Sequence, residues 1–230
     1  MVNQFPELLS EEILARAERL SSTLICDGMK DLDIPNGGCM EFGIHAVHPS
    51  FKVVGTAMTV ETSDGDNFPI HVASYSAPCE GYVMVIDGKG YTGRAYLGDL
   101  IMGACQAVGY KGIIVDGCTR DYEGNCALGF PVFSKGLLPR GPYKKNEGNV
   151  NTPIMCGGVK VEPGDLVVGD CDGIAVVPRA EIGKVLAAAE KKQDYEDNRD
   201  MTIQKYREAK ARGTELPQLA PQWVLDMLNQ

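Results

Sequence analysis

The stretch that most restricts the fold is residues 98–123, GDLIMGACQAVGYKGIIVDGCTRDYE. Leu100, Ile101, Ala104, Ala107 and Val108 recur at helical spacing, which predicts a helix with Asp99 in its first turn and Gly109 at its end. Residues 112–115 read as a short buried strand that Asp116-Gly117 breaks into a turn. Residues 82–88 form an earlier strand with the same Asp-Gly ending. Two buried strands separated by a helix make a right-handed βαβ crossover, so the chain is an α/β protein with parallel strands.

Ligands of such sheets bind outside the carboxyl ends of the strands, and Arg120, Asp121 and Glu123 fall there. Free first-turn N–H groups at Leu100, Ile101 and Met102 could hold an anion. Arg120 could grip a carboxylate or enolate oxygen, and Asp121 could bind a hard cation. Those parts suit a metal-assisted 2-oxo acid enzyme. The competing reading is structural: an Arg-Asp pair after a strand is commonly a surface turn, and an acid in a first turn complements the helix dipole.

Around this centre, helices are expected from Ser10-Glu11-Glu12 and from Ser22-Thr23, the second carrying Asp27. Residues 51–61 form a strand that ends in the polar turn 62–67, followed by a helix over 68–75. Asn67 could donate to a substrate oxygen, while Asp66 reads equally as a helix cap. Lys89 or Arg94 could meet a second substrate carboxylate. Gly88-Lys89-Gly90 lacks the spacing of a nucleotide-binding loop. From residue 150 onward, short strands with Asp-Gly turns predict an antiparallel or barrel-like section, followed by a long helix over about 181–211. The charged far half of that helix is better explained as crossing to a neighbour. His45, His48 and His71 form no ligand or triad pattern.

With 22 Lys+Arg against 31 Asp+Glu, the net charge of −9 disfavours a nucleic-acid surface. No apolar run approaches the roughly 20 residues of a membrane span, and the N-terminus lacks a signal-peptide pattern. The eight cysteines are dispersed with no C-x-x-C spacing, which favours a reduced cytoplasmic setting over disulfides or zinc.

Gly98-Asp99-Leu100, Asp116-Gly117-Cys118-Thr119-Arg120-Asp121, Gly129-Phe130-Pro131-Val132-Phe133 and Pro139-Arg140-Gly141-Pro142 occur in that order. With Gly65-Asp66-Asn67 and the run from Pro163-Gly164-Asp165 to Asp172-Gly173, this succession resembles the RraA-like family over roughly residues 20 to 210. That family joins 4-hydroxy-4-methyl-2-oxoglutarate / 4-carboxy-4-hydroxy-2-oxoadipate aldolases to regulators of ribonuclease E activity. The resemblance implies a swivelling β/β/α-like domain over 1–178, and a C-terminal helix and tail over 179–230 packing on a neighbouring subunit of a homotrimer or homohexamer.

It further implies a Mg²⁺- or Mn²⁺-dependent lyase that releases pyruvate from a 4-hydroxy-2-oxo acid, with oxaloacetate decarboxylation as a side activity. Asp121 would be the metal ligand, Arg120 the pyruvate contact and Asp99 the acid acting on water. Gly98, Leu100 and Ile101 would meet the pyruvate carboxylate. A glutamate from a neighbouring subunit, Glu196 or else Glu190, would stand near the metal waters. Lys89, Tyr91, Arg94 and Tyr96 are bulkier than the aldolase pattern, which bears on the substrate. The rivals are a non-catalytic ribonuclease-binding regulator and a lyase or isomerase of sugar acids.

Overall fold

The computed structural model describes residues 1–34, 38–75, 79–145 and 148–229. Helices α1 (Glu11–Glu18) and α2 (Ser22–Asp31) start where the sequence places serines, with Ser10 and Ser21 side chains accepting from Ile13 N and Leu24 N. Strand β1 (His45–Ala46) leads to β2 (Val53–Glu61), α3 (Phe68–Ser74) and the long β3 (Tyr82–Leu97). Next come α4 (Asp99–Ala107), β4 (Gly112–Thr119), α5 (Tyr122–Leu128), β5 (Val132–Ser134), β6 (Gly136–Leu137) and β7 (Asn149–Val150). A hairpin of β8 (Ile154–Cys156) and β9 (Val159–Val161) precedes β10 (Leu166–Asp170) and β11 (Gly173–Val177). Helix α6 (Ile182–Arg212) and the short α7 (Gln222–Leu228) follow, the latter lying in the stretch for which the sequence reading gives only a tail.

The main sheet runs β1-β5-β4-β3-β2-β10-β11, with β2 through β5 parallel and β10 and β11 antiparallel. Alternation along the strands sorts the core into three layers. Ala57, Val83, Val85, Ile114, Phe133, Val167 and Val176 share one inner face. Met58, Met84, Ile86, Ile113 and Val115 face outward onto the buried side chains of α3 and α4. Leu166, Val168, Ala175 and Val177 instead carry α1, α2 and the start of α6. A Cβ at Gly169 of β10 would come 2.9 Å from Phe133 Cζ of β5, although three strands lie between them in the sheet order. The sheet therefore curls like a barrel wall and closes on its own side chains.

Two boundaries differ from the sequence reading. Strand β4 does not break at Asp116-Gly117 but continues to Thr119. Gly117 is there for space, because a Cβ would sit 2.4 Å from Tyr96 Cε2. Strand β3 likewise runs past Gly88 for 16 residues in all, absorbing left-handed Lys89 and Gly90 as irregularities in its pairing with β4.

The chain divides into two units, Met1–Ala189 and Glu190–Gln230. The first unit includes the opening turns of α6, whose Ile182, Val185, Leu186 and Ala189 repeat at helical spacing and are buried. The second carries exposed Tyr195, Met201, Trp223, Met227 and Leu228, and Arg199 Nη2 donates to Leu219 O at 2.9 Å. Among the described residues no helix is long and apolar enough to cross a membrane.

Candidate active site

Strands β3 and β4 end side by side, with Leu97 opposite Thr119, and Arg120 N donates to Leu97 O at 3.1 Å. That register sets the β3–α4 junction, Gly98-Asp99, against the β4–α5 junction, Arg120-Asp121. Gly98 has an extended backbone (φ −135°) that any residue could adopt, so conformation does not require a glycine. Space does: a Cβ would sit 2.1 Å from Asp121 Oδ2 and 3.0 Å from Arg120 Nε. Asp99 packs on the other side, its Oδ2 2.5 Å from where a Cβ on Gly124 would stand. Glycines thus let two carboxylates and a guanidinium share one strand-end rim.

Asp121 is held in the left-handed region (φ 60°, ψ 49°), a conformation that Asp tolerates better than most residues. The turn brings its carboxylate back over Gly98 instead of capping α5, where it makes no side-chain cap bond. Arg120 Nε lies 3.2 Å from Asp121 Oδ2, and both side chains are about two-fifths exposed, at 40% and 39%. The pair is ionic without hydrogen-bond alignment, which leaves the buried Nε–H without an acceptor. Among the described residues the Asp99 side chain makes no hydrogen bond or ion pair, and the cluster of three potential metal ligands found, Asp170, Cys171 and Asp172, includes neither Asp99 nor Asp121. A guanidinium and a carboxylate side by side, each about two-fifths exposed, fit an oxyanion and a hard cation. Mg²⁺ in particular binds through one or two carboxylates and keeps several waters.

The helix N-terminus needs a correction. Both Ile101 N and Met102 N donate to Gly98 O at 3.1 Å, so neither amide is free for an anion. The remaining first-turn donors are Asp99 N and Leu100 N, which have no acceptor within the helix. Leu100 has an outward side chain, 86% exposed.

Lys89 and Arg94 also have partners within the chain. Lys89 Nζ pairs with Asp87 Oδ2 at 2.6 Å and Glu61 Oε1 at 3.5 Å, and the Asp87 bond raises the lysine pKa. Arg94 donates to Gly141 O at 2.7 Å and Tyr143 Oη at 2.9 Å. Arg94 is thus engaged within the chain, whereas Lys89 stays 43% exposed beside its two acids. Tyr96 is fully buried, its hydroxyl accepting from Gly65 N and donating to Gly88 O, and burial pushes its pKa up to about 12.

In the 62–67 turn, Asp66 is the organiser: Oδ1 accepts from Phe68 N at 2.9 Å and Oδ2 from Lys145 N at 2.8 Å. Asn67 is 2% exposed and leaves Oδ1 unpartnered, while its backbone N donates to Tyr143 O. His71 stacks on Tyr75, and burial followed by Lys144 lowers its pKa. Glu196 lies exposed in the second unit, outside the unit that carries Asp121. The clefts of 660, 540 and 640 Å³ are lined by other residues, the first two sharing Glu61 and Lys89. At the rim itself Arg120 and Asp121 remain partly exposed.

The family model described as Aldolase/RraA matches residues 22–176. The chain belongs to the RraA-like family. A relative from Halalkalibacterium halodurans, named "Putative 4-hydroxy-4-methyl-2-oxoglutarate aldolase", is 42% identical over 160 residues, covering 70% of this chain and 76% of the relative. Among solved structures, Streptomyces coelicolor RraAS2 superposes with a TM-score of 0.72 at 28% identity, covering 84% of this chain and 98% of its own. It is described as an unusual member of the RNase ES inhibitor RraA protein family. An uncharacterised Pseudomonas syringae protein gives a TM-score of 0.70 at 25% identity, covering 91% and 97%.

Proposed function

We propose that the chain is a divalent-metal-dependent carbon–carbon lyase that releases pyruvate from 4-hydroxy-4-methyl-2-oxoglutarate or a related 4-hydroxy-2-oxo acid, with oxaloacetate decarboxylation as a side activity. The observation that carries this reading is the closure of Gly98 on the Arg120–Asp121 pair, with Asp99 beside it. Asp121 would hold Mg²⁺ or Mn²⁺ through its carboxylate, with water completing the shell. When bound, the ion supplies a Lewis acid for the 2-oxo oxygen.

The chain's own residues do the rest. Arg120 donates to the oxygen on which negative charge develops, a stabilisation worth most in the transition state. Leu100 N meets the substrate carboxylate at the helix N-terminus. Asp99 takes the C4 hydroxyl proton through water, the C3–C4 bond breaks as C4 becomes the carbonyl of the departing fragment, and return of that proton to C3 of the enolate gives pyruvate. The partial exposure of the rim pair supports a further proposal, that a homotrimer or homohexamer completes the rim with Glu196 of a neighbouring copy.

Asp121→Asn tests the reading because Asn also tolerates the left-handed region. Pyruvate release should fall by at least ~10²-fold, in the range seen on losing one electrostatic stabiliser, and Mn²⁺ affinity should fall with it. Unchanged turnover with wild-type Mn²⁺ affinity would rule out the role. The likeness to RraAS2 supports a second reading, a regulator that binds a ribonuclease. Ribonuclease capture without metal-dependent turnover would favour it.

A further inference from the structure

We propose that Arg94 is a positioning residue for Arg120, acting through the backbone of Gly141. This rests on the lyase reading for its kinetic consequence, but its geometry stands apart from it. Arg120 has one ion partner among the described residues, Asp121, and its Nε–H is not aligned with that carboxylate. Something other than a hydrogen bond must fix the guanidinium plane. Gly98 packs on its Nε, and the wall its tip meets is Gly141: a Cβ there would stand 2.8 Å from Arg120 Nη1.

Gly141 is itself held by Arg94. Arg94 Nη1 donates to Gly141 O at 2.7 Å, Nη2 donates to Tyr143 Oη at 2.9 Å, and the guanidinium carbon lies 3.8 Å from the centroid of the Tyr143 ring. Beside it, Ala95 N donates to Arg140 O at 2.8 Å. The far end of the segment is tied to the 62–67 turn. Tyr143 N donates to Gly65 O, Asn67 N to Tyr143 O, and Lys145 N to Asp66 Oδ2. Residues 140–145 thus form a strap across the sheet end, and Arg94 is the side chain that fixes its height over Arg120. An arginine suits this task because its planar fork serves two acceptors at once while its cationic carbon lies over the ring. Lysine's compact ammonium lacks that planar, pre-organised fork, so it would hold the same partners less rigidly.

A displaced Arg120 would lose charge stabilisation in the transition state more than ground-state binding. Arg94→Ala should therefore lower kcat by ~10- to 100-fold with KM changed by less than about 3-fold. Arg94→Lys should recover part of the loss. Added to Arg120→Ala, Arg94→Ala should have less than about a 2-fold further effect, since residues acting as a unit are non-additive. Gly141→Ala should reproduce the kcat loss with the Arg94 contacts intact, and carries the test should Arg94→Ala fail to fold.

The readout free of activity is the arginine Nε–Hε NMR spectrum, with the Arg120 signal assigned by its loss in Arg120→Ala. That signal should move in Arg94→Ala and lie nearer the wild-type position in Arg94→Lys. Fully multiplicative kinetic effects, or an Arg120 signal unmoved in folded Arg94→Ala, would overturn the proposal. A wild type that releases no pyruvate with Mg²⁺ overturns the lyase reading instead, and the spectrum then decides the positioning claim alone.

Discussion

Gly98 shows how little of the candidate site's chemistry resides in polar groups alone. Its missing side chain leaves the volume that Asp121 Oδ2 occupies, so Gly98→Ala should push the carboxylate off the rim. Because the backbone there is extended, the substitution should leave Tm near wild type while pyruvate release drops by at least ~10²-fold, the scale of a 1 Å misplacement. A Gly98→Ala enzyme with full turnover would show that Asp121 is not needed where it stands. At this scale the sequence was informative: Gly98-Asp99 and Arg120-Asp121 are each contiguous, so motif reading finds both pairs. Free amides at Ile101 and Met102 were not a sound expectation, since an extended Gly98 lets its carbonyl accept from both. The Arg94–Gly141–Tyr143 contacts were not legible either, as they join residues 47 and 49 apart in sequence.

Among the elements, the β3–β4 pair sets the rim, and its length was misread for an identifiable reason. Asp-Gly and Gly-Lys-Gly signal turns locally, yet here Gly117 accommodates the Tyr96 ring and the left-handed pair Lys89-Gly90 is absorbed within a strand. Tertiary packing overrides the local signal. Gly117→Ala should accordingly destabilise the fold by about 1–3 kcal/mol, the range for overpacking a filled core, as measured by urea unfolding. A midpoint equal to wild type would mean that Tyr96 can yield without loss. Helix starts were easier to read, because a serine before an apolar-periodic run can satisfy its own helix's free amides, as Ser10 does; for the second helix the capping serine is Ser21, one residue before the Ser22-Thr23 of the sequence reading.

For the whole molecule, the curled sheet and its two outer helical layers follow from strict strand alternation, whereas assembly does not follow from a single chain. The exposed apolar residues of the second unit, Trp223, Met227 and Leu228 among them, support burial against further copies. Sedimentation should show a trimer or hexamer that dissociates when residues 190–230 are removed, and a monomeric full chain would contradict this. In the proposed reaction Asp121 and a divalent cation together serve pyruvate-forming cleavage. The most direct measurement of this is pyruvate release from 4-hydroxy-4-methyl-2-oxoglutarate and oxaloacetate, coupled to lactate dehydrogenase, with and without EDTA. Release should vanish in EDTA, return with Mg²⁺ or Mn²⁺ and stay absent in Asp121→Asn; enzyme-dependent release at the same rate in EDTA would contradict the account.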